Sequence, residues 1–342
     1  MDRLTPREGG LTMTSGKTGP DMVSLRASVA EEKFRTVPPE PKVGCNLLEK
    51  LIVEPGARVQ LDKVDPGYCG EPELYETALP EIQSYSQQID QLQCLMYAEK
   101  KHSLLIVLQG LDAGGKDGVA RHILTSMNPA GCRVVEFKQP TPEDLSHDFL
   151  WRVHPHVPAK GEVTIFNRSH YEDVLVVRVH RLTPVCVWSR RYGLINDFER
   201  FLAMENNTTV LKFFLHISKE EQLARFQRRL NDPARRWKIS KTDYEERKYW
   251  DHYIDAFEDM LHKTSTPYAP WFVIPANHKW FRDLVVSQII IRTLKDLNIE
   301  FPKPALDLVQ SAARFVGPKR RPVARGKKQI AIVETASLKP AG

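Results

Sequence analysis

The chain has 342 residues, of which 42% are apolar and 27% charged. That is enough to bury a full core, and it excludes a chain disordered throughout. A net charge of +6 suits an anionic ligand but does not choose between nucleic acid, phosphates and acidic metabolites.

Residues 1–40, rich in Gly, Pro, Thr, Ser and charge, are expected to form a loose extension, and 41–76 a segment packing on the core. Leu79, Ile82, Ile89, Leu92 and Met96 recur at helical spacing and predict an amphipathic helix over 77–100. "SLLIVLQG" then reads as a strand buried on both faces, followed by a glycine loop and a helix from Lys116 to about Met127. Further strands are expected at 132–138, 161–169, 208–218 and 269–277, with helices at 142–157, 188–205, 219–230, 241–263 and 278–297. Strands alternating with helices predict an α/β fold with a mainly parallel sheet and helices on both faces, a P-loop kinase-like three-layer sandwich. The tail over 304–342 is basic and punctuated by Pro and Gly. No apolar run approaches the ~18 residues of a membrane span, and the N-terminus shows no signal-peptide core. Five scattered cysteines without a CxxC pair read as reduced thiols of a cytoplasmic protein.

In open parallel sheets ligands bind at the carboxyl ends of the strands, so motifs there carry the chemistry. Gly110 to Lys116 ("GLDAGGK") fits G-x-x-x-x-G-K after a buried strand and before a helix. Gly110, Ala113, Gly114, Gly115 and Gly118 let backbone N–H groups approach an anion, while Lys116 adds a mobile positive charge. A P-loop normally places Ser or Thr after the lysine; here Asp117 stands there. With Asp112 it puts two carboxylates beside a phosphate site, which implies Mg²⁺, or Mn²⁺ in its place. Asp117 alone is equally an acidic residue favoured at a helix start.

The strand over 161–169 ends in Asn167 where a P-loop kinase usually has Asp. The nearest carboxylates are Glu172 and Asp173, and one helical turn would bring Asp173 back toward the loop. Arg168 and Arg178 are candidate phosphate clamps, with a structural Arg168–Asp173 ion pair as the alternative. Residues 224–244 gather Arg225, Arg228, Arg229, Arg235, Arg236 and Lys238 around an Asn-Asp-Pro break, the pattern of a basic lid between two helices. Lys160, Arg121, Lys138 and Lys212 are candidates for a track along a polyanion.

Together "GLDAGGKDG", "FLWRVHPHVPAKGEVTIFNRSHYEDVLVVRV", "LKFFLHISKEEQ", "RRWKIS" and "YAPWFVIPANHKWFR" resemble the polyphosphate kinase 2 family, from about residue 60 to 303. "FNRSHYEDVLVVRV" resembles the class III subgroup, which phosphorylates AMP and ADP from inorganic polyphosphate. The resemblance implies Asp112, Lys116 and Asp117 in the loop, Asn167, Arg168 and Asp173 in the second motif, and Arg178 close by. It implies metal binding by Asp112, Asp173 and Asp117, with Asp173 supplying the acid that Asn167 lacks. The expected substrates are polyphosphate and adenine or guanine nucleotides. A homo-oligomer is expected, with no membrane and no specific nucleic acid. The rival readings are an ATP-dependent kinase of the same fold and a non-catalytic nucleic-acid binder. The first would keep Ser or Thr after the lysine, and no aromatic RNA-binding signature supports the second.

Overall fold

The computed structural model describes residues 45–70 and 73–303, so the expected extension over 1–40 and the tail over 304–342 lie outside the described residues. A first helix, α1 (Cys45–Leu51), leads into a two-residue strand, β1 (Ile52–Val53). Then follow α2 (Glu73–Glu99), β2 (Ser103–Gln109), α3 (Lys116–Leu124), β3 (Cys132–Glu136), α4 (Pro142–Ser146), β4 (Val163–Asn167) and α5 (Val176–Val179). The chain continues through α6 (Val185–Asn206), β5 (Thr208–His216), α7 (Lys219–Asn231), α8 (Lys241–Glu246), α9 (Trp250–Thr264), β6 (Trp271–Pro275) and α10 (Lys279–Asp296).

The strands form one six-stranded sheet in the order β1-β6-β5-β2-β4-β3. All neighbours are parallel except β1, which pairs antiparallel with β6 through Ile52 and Val53. The central strand β2 is buried at every position, as its unbroken apolar run requires. Its side chains alternate between two cores. Leu104, Ile106 and Leu108 join α2, α3 and α10, whereas Leu105 and Val107 join α6 and α9. The sheet is therefore the middle layer of an α/β/α sandwich. Each aliphatic side chain so buried contributes roughly 1.5–3 kcal/mol. Among the described residues no helix is long and apolar enough to cross a membrane.

Three local departures from the sequence expectation have physical causes. Regular helix over 142–157 stops at Ser146, because the Asp148 carboxylate accepts from the Leu150 amide (2.9 Å) and turns the chain out of the helix. The helix expected over 241–263 breaks at Arg247–Tyr249, where Arg247 reaches back to the Lys219 carbonyl and the Gln222 side chain. The strand β1 is too short to show a period of two in the sequence.

Candidate active site

The glycine loop leaves β2 and returns into α3 under tight steric control. At Gly110 (φ 149°) a Cβ would stand 2.7 Å from the Leu215 carbonyl oxygen, and at Gly115 (φ 106°) 2.1 Å from an Arg282 nitrogen. Only glycine fits either place. Ala113 also takes positive φ, at 59°. Two arginines and a glutamine brace the loop from outside. Arg225 on α7 donates to the Ala113 and Gly114 carbonyls (2.8 and 3.0 Å) and to those of Ala276 and Asn277. Gln222 donates to the Asp112 carbonyl (2.9 Å), and Arg282 on α10 covers Gly115. Their caps occupy carbonyl oxygens and not the loop N–H groups, of which Gly114's donates to the Leu111 carbonyl (3.0 Å).

The Lys116 ammonium curls back onto the Gly110 and Leu111 carbonyls (2.5 and 3.1 Å) and is buried. Burial lowers its pKa, and the nearby Asp112 only partly offsets that. Such a charge gains by meeting an anion. Arg168, the residue after β4, has φ 62°, a strained conformation for a non-glycine residue that costs ~1–3 kcal/mol. Its guanidinium meets the Asp112 carboxylate at 2.9 Å. Burial opposes the Arg168 charge, but Glu172 and Asp112 outweigh it and raise its pKa. The Asn167 amide donates to Asp117 (3.0 Å) while its own Oδ1 is buried without a partner. Lys238, from the basic stretch after α7, reaches the other Asp117 oxygen at 2.9 Å. Burial pushes the Asp117 carboxyl up, and the bonds from Lys238 and Asn167 bring it below its ordinary value.

Residues 170–173 form a 3₁₀ turn, with the Glu172 amide donating to the Ser169 carbonyl (3.1 Å). Glu172 and Asp173 both border the cavity that Asp112, Lys116 and Arg168 also line. Glu172 therefore feels Arg168 and Lys116, while burial raises its pKa. Asp173 lies between Arg191 (3.1 Å) and Arg152 (3.4 Å). Asp173 thus shares a cavity wall with Asp112 and Lys116 of the loop, while its carboxylate is paired with two arginines. The structure places the Arg168 ion pair on Asp112 rather than Asp173.

Other expected residues divide. Arg121, Lys138, Arg228, Arg229, Arg235 and Lys238 line a trench beside the loop. Arg236 is not on that wall; its side chain donates to the Leu230 carbonyl. Arg178 turns to Asp259 (2.6 Å) and stacks over Trp188, away from the cleft. Lys160 precedes β4, next to the Gly161–His102 backbone bond, at the amino ends of the strands and so on the far side of the sheet. Lys212 is buried in the core against Glu199 (2.6 Å). Arg191 belongs to the basic run over 187–201, which the sequence also offers as a wall of the same groove, whereas Arg152, Lys279 and Arg282 were not singled out as site residues although they lie within the stretches that carry the family resemblance.

Two cavities meet at this point. One, about 1020 Å³, is the trench, whose walls carry eleven Lys or Arg against four Asp or Glu. The other, about 730 Å³, has six against five and includes the apolar side chains Leu175, Val176 and Phe257. Both are bounded by Asp112, Lys116 and Arg168. Among the described residues, no three His, Cys, Asp or Glu side chains gather as a closed metal cage. A hard divalent cation bound mainly through substrate phosphates needs only one or two carboxylates. Asp112, with Glu172 on the same cavity wall and the orphaned Asn167 oxygen nearby, fits that requirement.

Residues 74–302 match the family model described as Polyphosphate kinase 2 (PPK2). The chain belongs to the polyphosphate kinase 2 family. It is similar to a Meiothermus ruber protein named AMP/ADP-polyphosphate phosphotransferase, 50% identical over 258 residues, 75% of this chain and 96% of that one. It is 41% identical over 271 residues to a Rhodopseudomonas palustris ADP-polyphosphate phosphotransferase, covering 75% and 92%. A crystal structure of polyphosphate kinase 2 from Arthrobacter aurescens TC1 superposes with TM-score 0.73 at 39% identity, covering 78% of this chain and 98% of that one. The family match covers the loop, the strand-end motif and the basic stretch after α7.

Proposed function

We propose that this chain transfers the terminal phosphoryl group of inorganic polyphosphate to AMP or ADP, and to guanine nucleotides in the same way, with Mg²⁺, and that it runs the reverse reaction. The observation that carries this reading is the pair of unlike cavities meeting at Asp112, Lys116 and Arg168. The strongly basic trench suits a polyanion with no base or sugar to recognise. The mixed cavity, with its apolar wall, suits a nucleotide. The relatives' names support the same substrates.

In this reading a terminal oxygen of the nucleotide phosphate attacks the end phosphorus of polyphosphate. One P–O bond forms, the bridging P–O bond breaks, and the shortened polyphosphate keeps the electron pair. The attacking oxygen is largely anionic at pH 7, because the second phosphate pKa is about 6. The chemistry needs positioning and charge neutralisation more than a general base. Lys116 would leave its loop carbonyls for the transferred group, and Arg168 would neutralise charge spread over the equatorial oxygens. Mg²⁺, when bound, would neutralise phosphate charge, held by Asp112 with Glu172 beside it. Asp117 would tether the lid through Lys238, and Asp173 would orient Arg152 and Arg191 toward the nucleotide phosphates. The basic stretch over 224–244 is the proposed lid, and the free cysteines among the described residues suit a cytoplasmic enzyme.

Product chromatography with long-chain polyphosphate, Mg²⁺ and AMP, ADP or GDP in turn tests this. The next higher nucleotide should form without ATP. Formation of ADP only from ATP plus AMP would instead support an ordinary nucleotide kinase.

A further inference from the structure

Lys212 stands in the middle of β5 with its side chain fully buried, as is Glu199 on α6. The ammonium donates to Glu199 (2.6 Å), to the Tyr171 hydroxyl (2.9 Å) and to the Thr264 carbonyl (2.7 Å), so all three N–H bonds are used. The other Glu199 oxygen accepts from Tyr171 (2.8 Å) and lies 3.4 Å from His170 Nε2. None of these five residues borders either cavity. The pair therefore makes no substrate contact.

Two consecutive residues of one short turn, His170 and Tyr171, thus end on the same buried ion pair. The next two residues, Glu172 and Asp173, face the cleft, and Arg168 lies two residues upstream in its strained backbone. A buried ion pair is a poor stabiliser, since well-packed apolar residues of similar size often do as well or better. An apolar cluster would fill the same volume, but it would not fix the direction of the Tyr171 hydroxyl or the register of the turn. We propose that the Lys212–Glu199 pair is a positioning device that sets the active-site turn through Tyr171 and His170, holding Arg168, Glu172 and the Asp173 clamp in reacting geometry.

The catalytic readout rests on the proposed phosphoryl transfer; the exchange readout does not. Two variants of the full chain test the proposal: Tyr171→Phe, which removes only the hydroxyl link, and Lys212→Met combined with Glu199→Leu. Both should fold. Hydrogen exchange should quicken about tenfold or more over 168–174, while amides of β2 and β5 keep wild-type protection. In the same variants kcat should fall about 10- to 100-fold, the scale of a sub-ångström to ångström misplacement. KM for polyphosphate and nucleotide should stay within about twofold, since neither cavity wall is cut. Wild-type exchange over 168–174 with wild-type kcat would overturn the proposal. So would faster exchange spread evenly over the sheet, which marks a merely structural pair. If the double variant does not fold, Tyr171→Phe decides alone. If the wild-type chain itself transfers no phosphate, the proposed function fails and the exchange pattern still decides the positioning role.

Discussion

Arg225 offers a sharp separation between holding substrate and holding the loop. By sequence it belongs to the basic lid; in the structure it is 6% exposed and donates to four backbone carbonyls and Glu221. Arg225→Lys keeps the charge but can reach only one or two of those acceptors. Two or three buried carbonyls then lose their donor, at about 1 kcal/mol or more each, so ~3 kcal/mol is the expected loss. At roughly 2 cal/mol/K of unfolding entropy per residue, each kcal/mol moves the Tm of a chain of 342 residues by about 1.5 °C, giving a drop of roughly 4–5 °C. Calorimetry reads that shift, and steady-state kinetics should show kcat falling with it as the loop loosens. An unchanged Tm with only a raised KM for polyphosphate would refute the bracing argument and return Arg225 to the substrate.

Asp112→Asn and Lys116→Ala should each lower turnover by roughly 10² or more with circular dichroism unchanged; near-normal rates would remove them from the mechanism. Arg168→Met should lose activity on that same scale, whereas Arg178→Met, which cuts only the Asp259 pair and the Trp188 stack, should keep kcat within about threefold; parallel kinetics of the two variants check this. Burial lowers the pKa of both His122 and His216, with the Val64 and Leu61 carbonyls opposing it at His216. The unfolded chain then binds protons first, below about pH 6.5. Stability from these histidines should be complete above that pH and decline as pH falls toward the folded values. A urea midpoint that rises between pH 7.5 and 5.5 would contradict it.

The strands and the loop were legible because their signals are local. An apolar run buried on both faces and a glycine loop ending in lysine need no distant partner to be recognised, and β2 through Lys116 follows them closely. The fate of Asp173 was not legible. It turns on Arg152 and Arg191, which arrive from other segments and pair with its carboxylate. Arg178 and Lys212 show the same limit. Each is a cation beside a motif in sequence, and each is claimed by a carboxylate from another helix, Asp259 or Glu199. Lys160 failed for a simpler reason. It lies before its strand, and a parallel sheet puts that end away from the site. The trench was legible as charge and not as shape, since Lys279 and Arg282 join it from α10.

The measurement that tests the account most directly follows one phosphorus atom. Polyphosphate labelled at its end groups is mixed with the full chain, Mg²⁺ and AMP or ADP, with no ATP present. Label should appear in the new terminal phosphoryl group of the nucleotide, in step with shortening of the polyphosphate, and Lys116→Ala should abolish it. Label that stays in polyphosphate while unlabelled ATP phosphorylates AMP would contradict the account.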